Sequence, residues 1–254
     1  MGLLDRIRQL FSRSTPREAK EEFGKAEAAT WLAAMESGRL NVPRDVHDGE
    51  AWDGYWRAHI EVGPMEQGFS DMMSNDPRLI PFLDQRDVRT ILCVGNGLSS
   101  EALALAIHGF NVTVLDISAI PRWRFDPDAR IDPESYPPMH RTEARPPRGG
   151  GSLTSVTGDL MDADLCPGPF DVVIERRTVQ LFPPAEQSAA LDRLAARLAP
   201  GGLFVSHQHH GGWRPDQPRQ HYASTWATEH GFTLDGASGA DGGGRVARLV
   251  YTTG

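Results

Sequence analysis

Two glycines and one acid form the clearest chemical pattern in the chain. Gly95 and Gly97 directly follow an apolar run at residues 91–94, and Asp116 stands about 20 residues further on. Glycines let a ligand approach the backbone closely, and an acid at that distance can accept hydrogen bonds from two ribose hydroxyls. The pattern predicts a nucleotide-binding edge.

A strand, a helix and a second strand position these residues. The apolar run at 91–94 is typical of a strand that is buried on both faces. Ser99 is a helix cap ahead of an apolar helix that Gly109 ends. Residues 112–115 form the second strand, and Asp116 stands at its carboxyl end. In a parallel sheet that end is where ligands bind.

The rest of the chain continues this alternation after a long interruption. We predict strands at residues 153–157, 170–174 and 203–205, a helix at 184–198 and a terminal β-hairpin at 231–254. The interruption at 117–151 is rich in proline and arginine, so no clear helix passes through it. Its arginines either form solvated surface, which we favour, or steer an acidic substrate.

Composition and charge narrow the class of protein. The 254 residues allow one substantial domain with an N-terminal extension, and the net charge of −8 argues against a nucleic-acid partner. Cys93 and Cys166 are too few for a disulfide framework. No apolar run reaches the length of a membrane span, and Asp5 and Arg6 interrupt any signal peptide. We therefore expect a cytoplasmic protein without a membrane span.

Residues 1–87 form the N-terminal extension. Residues 1–13 place apolar side chains on one helical face and arginines on the other. This pattern allows contact with a membrane surface or a partner protein, and we favour docking on this domain or on a second copy. Residues 52–73 then carry an aromatic and methionine stripe. Such a stripe is more often core than binding site. Its place directly ahead of the nucleotide unit also allows a lid over a cofactor or substrate.

Five motifs in order resemble the class I S-adenosylmethionine-dependent methyltransferases. They are ILCVGNG, VTVLDIS, TGDL after the third strand, FDVVIER in the fourth and LAPGGLFV before the fifth. The resemblance covers about residues 88–254. It implies a doubly wound α/β domain with a seven-stranded, mostly parallel sheet. Helices would cover both faces, and the sheet would end in a C-terminal antiparallel hairpin.

The resemblance implies S-adenosylmethionine as the cofactor and gives the motifs their roles. The glycine loop would lie against the methionine part, Asp116 would hold the ribose diol, and Asp159 would accept from the adenine amino group. Ile117 and Leu160 would pack beside the adenine ring, and Glu175 would face the methionine part or the substrate. The implied cofactor-binding residues are Gly95, Asn96, Gly97, Asp116, Ile117, Asp159, Leu160 and Glu175.

Three positions depart from the family's common pattern. Cys93 replaces the acid that precedes the first glycine, and Ser99 replaces the third loop glycine. The proline- and arginine-rich stretch replaces the helix after the second strand. The first two changes leave the cofactor pocket in place. Because of the third change, the resemblance does not indicate how the chain recognises its substrate.

Methyl transfer from a sulfonium is an in-line displacement, which needs alignment and, for a poor nucleophile, a base. Glu175, His207 and His209 lie at the carboxyl ends of the fourth and fifth predicted strands and are the candidates for that base. The alternative is that these histidines have no catalytic role and lie at the end of a loop with partly exposed rings. With His221 they could supply three metal ligands, but no cysteine or acid spacing supports a metal site, so we expect none.

The leading hypothesis is therefore a methyltransferase that acts on a small molecule. Trp52 and Trp56 ahead of Phe69 loosely resemble the thiopurine-methyltransferase-like enzymes, which favours a small acceptor. The alternatives are a protein or peptide methyltransferase that docks an acidic target, or an inactive cofactor-binding partner subunit. The candidate substrate contacts are Trp52, Trp56, Phe69, Met72 and His210.

Overall fold

The computed structural model describes residues 33–62 except 35 and 39, residues 79–120 except 100, and residues 151–209, 232–239 and 246–253. The predictions for the helix at 1–13, for most of the 117–151 stretch and for Phe69, Met72, His210 and His221 lie outside the described residues. The elements are α1 (Gly49–Val62), α2 (Leu79–Asp84), β1 (Thr90–Val94), α3 (Glu101–His108), β2 (Asn111–Asp116), β3 (Ser152–Thr157), β4 (Phe170–Arg176), a 3-10 turn (Val179–Leu181), α4 (Pro184–Ala195), β5 (Leu198–His209), β6 (Phe232–Gly239) and β7 (Val246–Thr253).

Five parallel strands form the body of the sheet, in the order β3-β2-β1-β4-β5. The chain builds outwards from β1 to β3 and then returns to place β4 on the other side of β1. This reversal creates a topological switch point between the carboxyl ends of β1 and β4, where open α/β sheets bind ligands. The predicted α/β fold with a parallel sheet is confirmed.

Two further strands extend the same sheet beyond β5. Strand β7 pairs antiparallel with β5, and β6 pairs antiparallel with β7.

The alternation of side chains along the strands divides the core into two layers. Leu92 and Val94 of β1 face one layer, which α4 closes with Ala190, Leu191 and Leu194. Ile91 and Cys93 face the other layer, which α2 and α3 close with Leu79, Leu83, Ala102 and Leu105. The described helices thus cover both faces, which holds the strand ends rigidly at a shared edge.

Strand β5 differs from the prediction at its start. It begins at Leu198, where we predicted the end of a helix, and α4 ends at Ala195. Leu198 pairs with Phe170 and Leu203 pairs with Val172, so the register shifts across residues 199–202. Pro200 lacks a backbone donor and Gly201 has a φ of +74°, so this segment continues the strand only as an irregularity.

Candidate active site

The loop after β1 has no room for side chains at its two glycines. Gly95 and Gly97 have φ angles of +62° and +50°, in the left-handed region that favours glycine. A Cβ atom on Gly95 would overlap the side chain of Thr178. A Cβ atom on Gly97 would lie 2.7 Å from the ring of Trp56. The loop is therefore enclosed from two sides, by the turn after β4 and by α1.

Asp116, the last residue of β2, fixes this loop. Its Oδ2 accepts a hydrogen bond from the backbone N–H of Gly97 at 2.8 Å, and its Oδ1 accepts one from Ser118 at 3.0 Å. Asn96 is buried and braces the loop from within, because its Nδ2 donates to the carbonyl of Ser99 at 2.7 Å. The spacing of glycines and acid noted in the sequence thus brings them into direct contact.

Burial raises the pKa of Asp116 to about 6, and the nearby charge of Asp53 adds to this effect. The N–H groups of Gly97 and Ser118 oppose the shift without cancelling it. The ionised carboxylate therefore has fewer donors than its burial requires, and further hydroxyl donors would stabilise it. A ribose diol offers two such donors.

The turn after β4 is held in a strained conformation by Glu175. This fully buried carboxylate accepts hydrogen bonds from the N–H of Thr178 at 2.9 Å and of Val179 at 3.4 Å, and from the hydroxyl of Ser206 at 2.5 Å. Arg177, between them, has a φ of +56°, which is unfavourable for a non-glycine residue. Glu175 therefore braces the switch point. A direct role in catalysis stays a prediction.

Helix α1 lies across this edge of the sheet. The carboxylate of Asp53 accepts hydrogen bonds from the Ser118 hydroxyl at 2.5 Å and the Ala119 N–H at 2.9 Å, which ties α1 to the end of β2. Trp56 lies against Gly97, and its ring centroid is 4.9 Å from that of Tyr55. Trp52 and Tyr55 are buried, whereas Trp56 is half-buried. Of these described aromatic residues, Trp52 and Tyr55 are thus part of the core, and Trp56 covers the glycine loop.

The end of β3 carries the second predicted acid. Asp159 Oδ1 accepts from the N–H of Met161 at 2.7 Å, and Asp159 Oδ2 lies 2.5 Å from His47 Nδ1. Leu160 beside it is buried in the core, whereas Ile117 at the end of β2 is half-buried. Asp116 and Asp159 therefore lie at neighbouring strand ends, since β2 and β3 pair up to Asp116 and Thr157.

Solved structures that are similar to this chain include methyltransferases. Magnesium protoporphyrin IX methyltransferase from Synechocystis PCC 6803, with bound SAM, is 16% identical, with 75% of this chain and 79% of that chain covered at a TM-score of 0.51. The N-methyltransferase NodS from Bradyrhizobium japonicum WM9, in complex with S-adenosyl-L-homocysteine, is 16% identical, with 75% and 99% covered at 0.51. A structure concerned with conversion of a disulfide bond into a thioacetal group during echinomycin biosynthesis is 17% identical, with 82% and 92% covered at 0.57. No family model and no curated protein matches the chain.

The chain has a Rossmann-like fold that is similar to the fold of these methyltransferases. In this fold the predicted residues Gly95, Asn96, Gly97, Asp116, Ile117, Asp159, Leu160 and Glu175 all come from the carboxyl ends of β1 to β4. Trp52 and Trp56 join them from α1. His207 and His209 lie in the last part of β5, where His207 pairs with Arg176. Their side chains lie outside the described part of the structure.

Within the described ranges, no group of three histidine, cysteine, aspartate or glutamate residues could hold a metal ion. No helix in the same ranges is long and apolar enough to cross a membrane.

Three residues at the candidate site were not identified from the sequence. They are His47, Asp53 and Thr178, which contact Asp159, Ser118 and Gly95 across long stretches of chain. An aspartate within an amphipathic helix normally indicates a solvated face, and a histidine in a polar loop carries no pattern of its own. Asp48, by contrast, has a readable signal, since its Oδ1 accepts from the N–H of Ala51 at 2.9 Å as a helix cap does.

Proposed function

We propose that the chain is an S-adenosylmethionine-dependent methyltransferase (EC 2.1.1) that acts on a small-molecule acceptor. The main support is the position of α1, whose Trp56 lies directly over Gly97 at the switch point of the sheet. The neighbouring structures contain SAM or S-adenosyl-L-homocysteine at this fold. Because these structures are 16% identical to this chain, they support the fold alone. The support for the activity must come from the site residues.

The donors and acceptors at the edge fit this cofactor. Asp116 is a buried acceptor whose backbone donors, Gly97 and Ser118, are too few for its burial, which suits the ribose diol. Asp159 is an acceptor at the next strand end, which suits the adenine amino group. Ile117, which is half-buried, offers apolar surface for the ring, and we propose that the buried Leu160 packs beside it. When bound, S-adenosylmethionine would supply an electrophilic methyl group on a sulfonium.

The protein's own contribution is alignment and exclusion of water. The aromatic rings of α1 cover the glycine loop, and Glu175 holds the opposite wall in one conformation. A preset, dry site of this kind favours in-line attack because the reacting groups lose little freedom at the moment of reaction.

The covered edge favours a small acceptor over a macromolecule. The indole N–H of Trp52 is buried and finds no hydrogen-bond partner among the described residues, so it could receive a polar group of the acceptor. We keep Trp56, Phe69, Met72 and His210 as further acceptor contacts. For a base we propose His207 or His209, since both oxygens of Glu175 already accept hydrogen bonds from the chain.

The wider organisation belongs to the same proposal. We assign residues 1–87 to a helical extension with a lid, and residues 88–254 to the cofactor-binding domain with its seven strands and terminal hairpin. The helix at 1–13 would dock on a second copy or a partner protein. Cys93 and Cys166 are free thiols, which supports a reducing, cytoplasmic setting.

Calorimetry with S-adenosylmethionine and S-adenosylhomocysteine is the decisive test. We expect micromolar binding of both, weakened by about 1–3 kcal/mol in Asp116→Ala because buried polar partners lose their acceptor. Asp87→Ala is the matched control, since this acid is exposed ahead of β1. If neither ligand binds the wild-type chain, the proposal is wrong.

Transfer of a labelled methyl group then separates the acceptor classes. Label that enters low-molecular-weight extract fractions supports a small acceptor, and label in a peptide fraction supports the protein methyltransferase. Binding without transfer to either fraction would favour the inactive partner subunit.

A further inference from the structure

His47 joins the segment ahead of α1 to the end of β3 and to helix α4, which are both distant in sequence. Its Nδ1 lies 2.5 Å from Oδ2 of Asp159, and its Nε2 lies 3.2 Å from Oε2 of Glu186 on α4. Its ring also stands edge-on to Phe182, with 5.5 Å between the ring centroids. Both ring nitrogens therefore face carboxylates, and an apolar ring fixes the plane between them.

This geometry selects one protonation state. A neutral imidazole donates from one nitrogen and presents a lone pair at the other, whereas the imidazolium donates from both. With neutral His47, one of the two carboxylates would face a lone pair. The observed bridge therefore fits the charged ring.

The groups around His47 act in the same direction. Asp159 faces it from the end of β3 and Glu186 from α4, and the carboxylate of Asp45, on its own segment, accepts the His47 backbone N–H at 2.9 Å. The hydrogen bond to Asp159 raises the pKa of His47 most, partial burial opposes it, and Glu186 adds to the rise. Within the part of the chain that the structure describes, no basic side chain contributes to this shift.

We propose that His47 is a positioning residue for Asp159: its imidazolium orients that carboxylate toward the adenine amino group and fastens the segment before α1 to the sheet. This inference rests on the proposed function. Each carboxylate oxygen can accept more than one hydrogen bond, so Asp159 can hold Met161, His47 and an amino group together. His47 then acts on the cofactor through Asp159 without touching it.

The pH dependence of binding follows from the sign of the shift. A histidine with a raised pKa keeps its contacts at low pH and loses them as pH rises through that pKa. Cofactor affinity should therefore fall on the alkaline side. This fall in affinity should be confined to ligands whose adenine amino group donates a hydrogen bond to Asp159.

Calorimetry from about pH 6.5 to about pH 9 tests this, with S-adenosylhomocysteine and its analogue whose adenine amino group is replaced by hydrogen. We expect wild-type affinity for S-adenosylhomocysteine to fall by about fivefold to tenfold, the size of one lost hydrogen bond, while the analogue's affinity stays flat. His47→Gln should bind weakly and independently of pH. Glu186→Gln should move the fall to lower pH, because it removes one group that raises the pKa.

His108→Gln is the matched control. His108 pairs with the single carboxylate of Asp84 at 2.9 Å, at the end of α3 far from the ligand edge. This variant should keep the wild-type profile. Three outcomes would overturn the inference and leave the proposed function intact. They are a wild-type affinity that does not change with pH, a His47→Gln variant that keeps the wild-type pH dependence, and an equal fall in affinity for the analogue. Absence of wild-type binding at every pH would overturn both.

Discussion

Two aspartates at opposite ends of the strands both accept backbone hydrogen bonds, but they differ in burial and in their donors. Asp171, at the amino end of β4, accepts hydrogen bonds from the N–H groups of Arg89 and Thr90 and from the Thr90 hydroxyl, at 2.8–3.0 Å. Although partial burial raises its pKa, these donors outweigh burial and hold the pKa below its usual value. Asp116, at the carboxyl end of β2, is buried with only two backbone donors, and its pKa rises to about 6.

The two acids show how a structural carboxylate differs from one that we propose to bind a ligand. Asp171 has enough donors from its own chain, so its charge stabilises the fold. Asp116 has too few for its burial, so its charge costs stability until a ligand supplies more. Deficient donors at a buried acid, rather than the acid itself, distinguish the ligand edge here.

The largest expected effect tests the steric side of this difference. Gly95→Ala at the ligand edge should lower the free energy of unfolding by about 3 kcal/mol, because the new methyl group overlaps Thr178 and the φ angle is already positive. Gly201→Ala has a similar φ angle but open space, and should cost about 1 kcal/mol. Urea unfolding measures both. Equal losses would show that backbone strain alone, without crowding, governs Gly95.

The next effect compares the acids directly. Asp171→Asn should destabilise the fold by about 1–2 kcal/mol at neutral pH, because its charge contributes stability that is present above the unfolded pKa and lost on acidification. Asp116→Asn should change stability by less than about 1 kcal/mol, since losing one hydrogen bond is offset by removing a poorly solvated charge. Unfolding curves at neutral pH check both. A larger loss in Asp116→Asn would mean that Asp116 is a structural acid like Asp171.

The smallest effect concerns pH. A raised carboxyl pKa contributes stability that is fully present at low pH and is lost as pH rises through about 6. Above that pH Asp116 is ionised, and a ligand that donates hydrogen bonds would stabilise it. A ligand that prefers the ionised form should bind about fourfold more weakly near pH 5.5 than near pH 7. Calorimetry with S-adenosylhomocysteine measures this, and Asp116→Asn should lack the acidic fall. A persistent fall in that variant would assign it to another group.

Local patterns predicted the strands of the parallel sheet well because their causes are local. The apolar runs before Gly95 and before Asp116 mark buried strands, and the chirality of βαβ units then brings their carboxyl ends together. The start of β5 was misplaced because Pro200 and Gly201 normally end a strand, whereas here the register shift absorbs them.

The parts that were missed depend on contacts between distant segments. His47 meets Asp159 across 112 positions, and Thr178 meets Val94 across 84. Neither contact has a spacing that a sequence pattern can reveal, because the packing of the whole sheet determines it. The sequence left core and lid open for the stripe containing Trp56 for the same reason, because only the folded chain shows that Trp56 lies against Gly97.

The hydroxyl of Thr178 occupies the space that a side chain at position 95 would need. It also donates to the carbonyl of Val94 at 3.2 Å, so it ties the glycine loop to the turn after β4. The two positions therefore cannot vary independently. Among chains that diverge from this one, a side chain at position 95 should occur only together with a smaller residue at 178, and the two sites should covary.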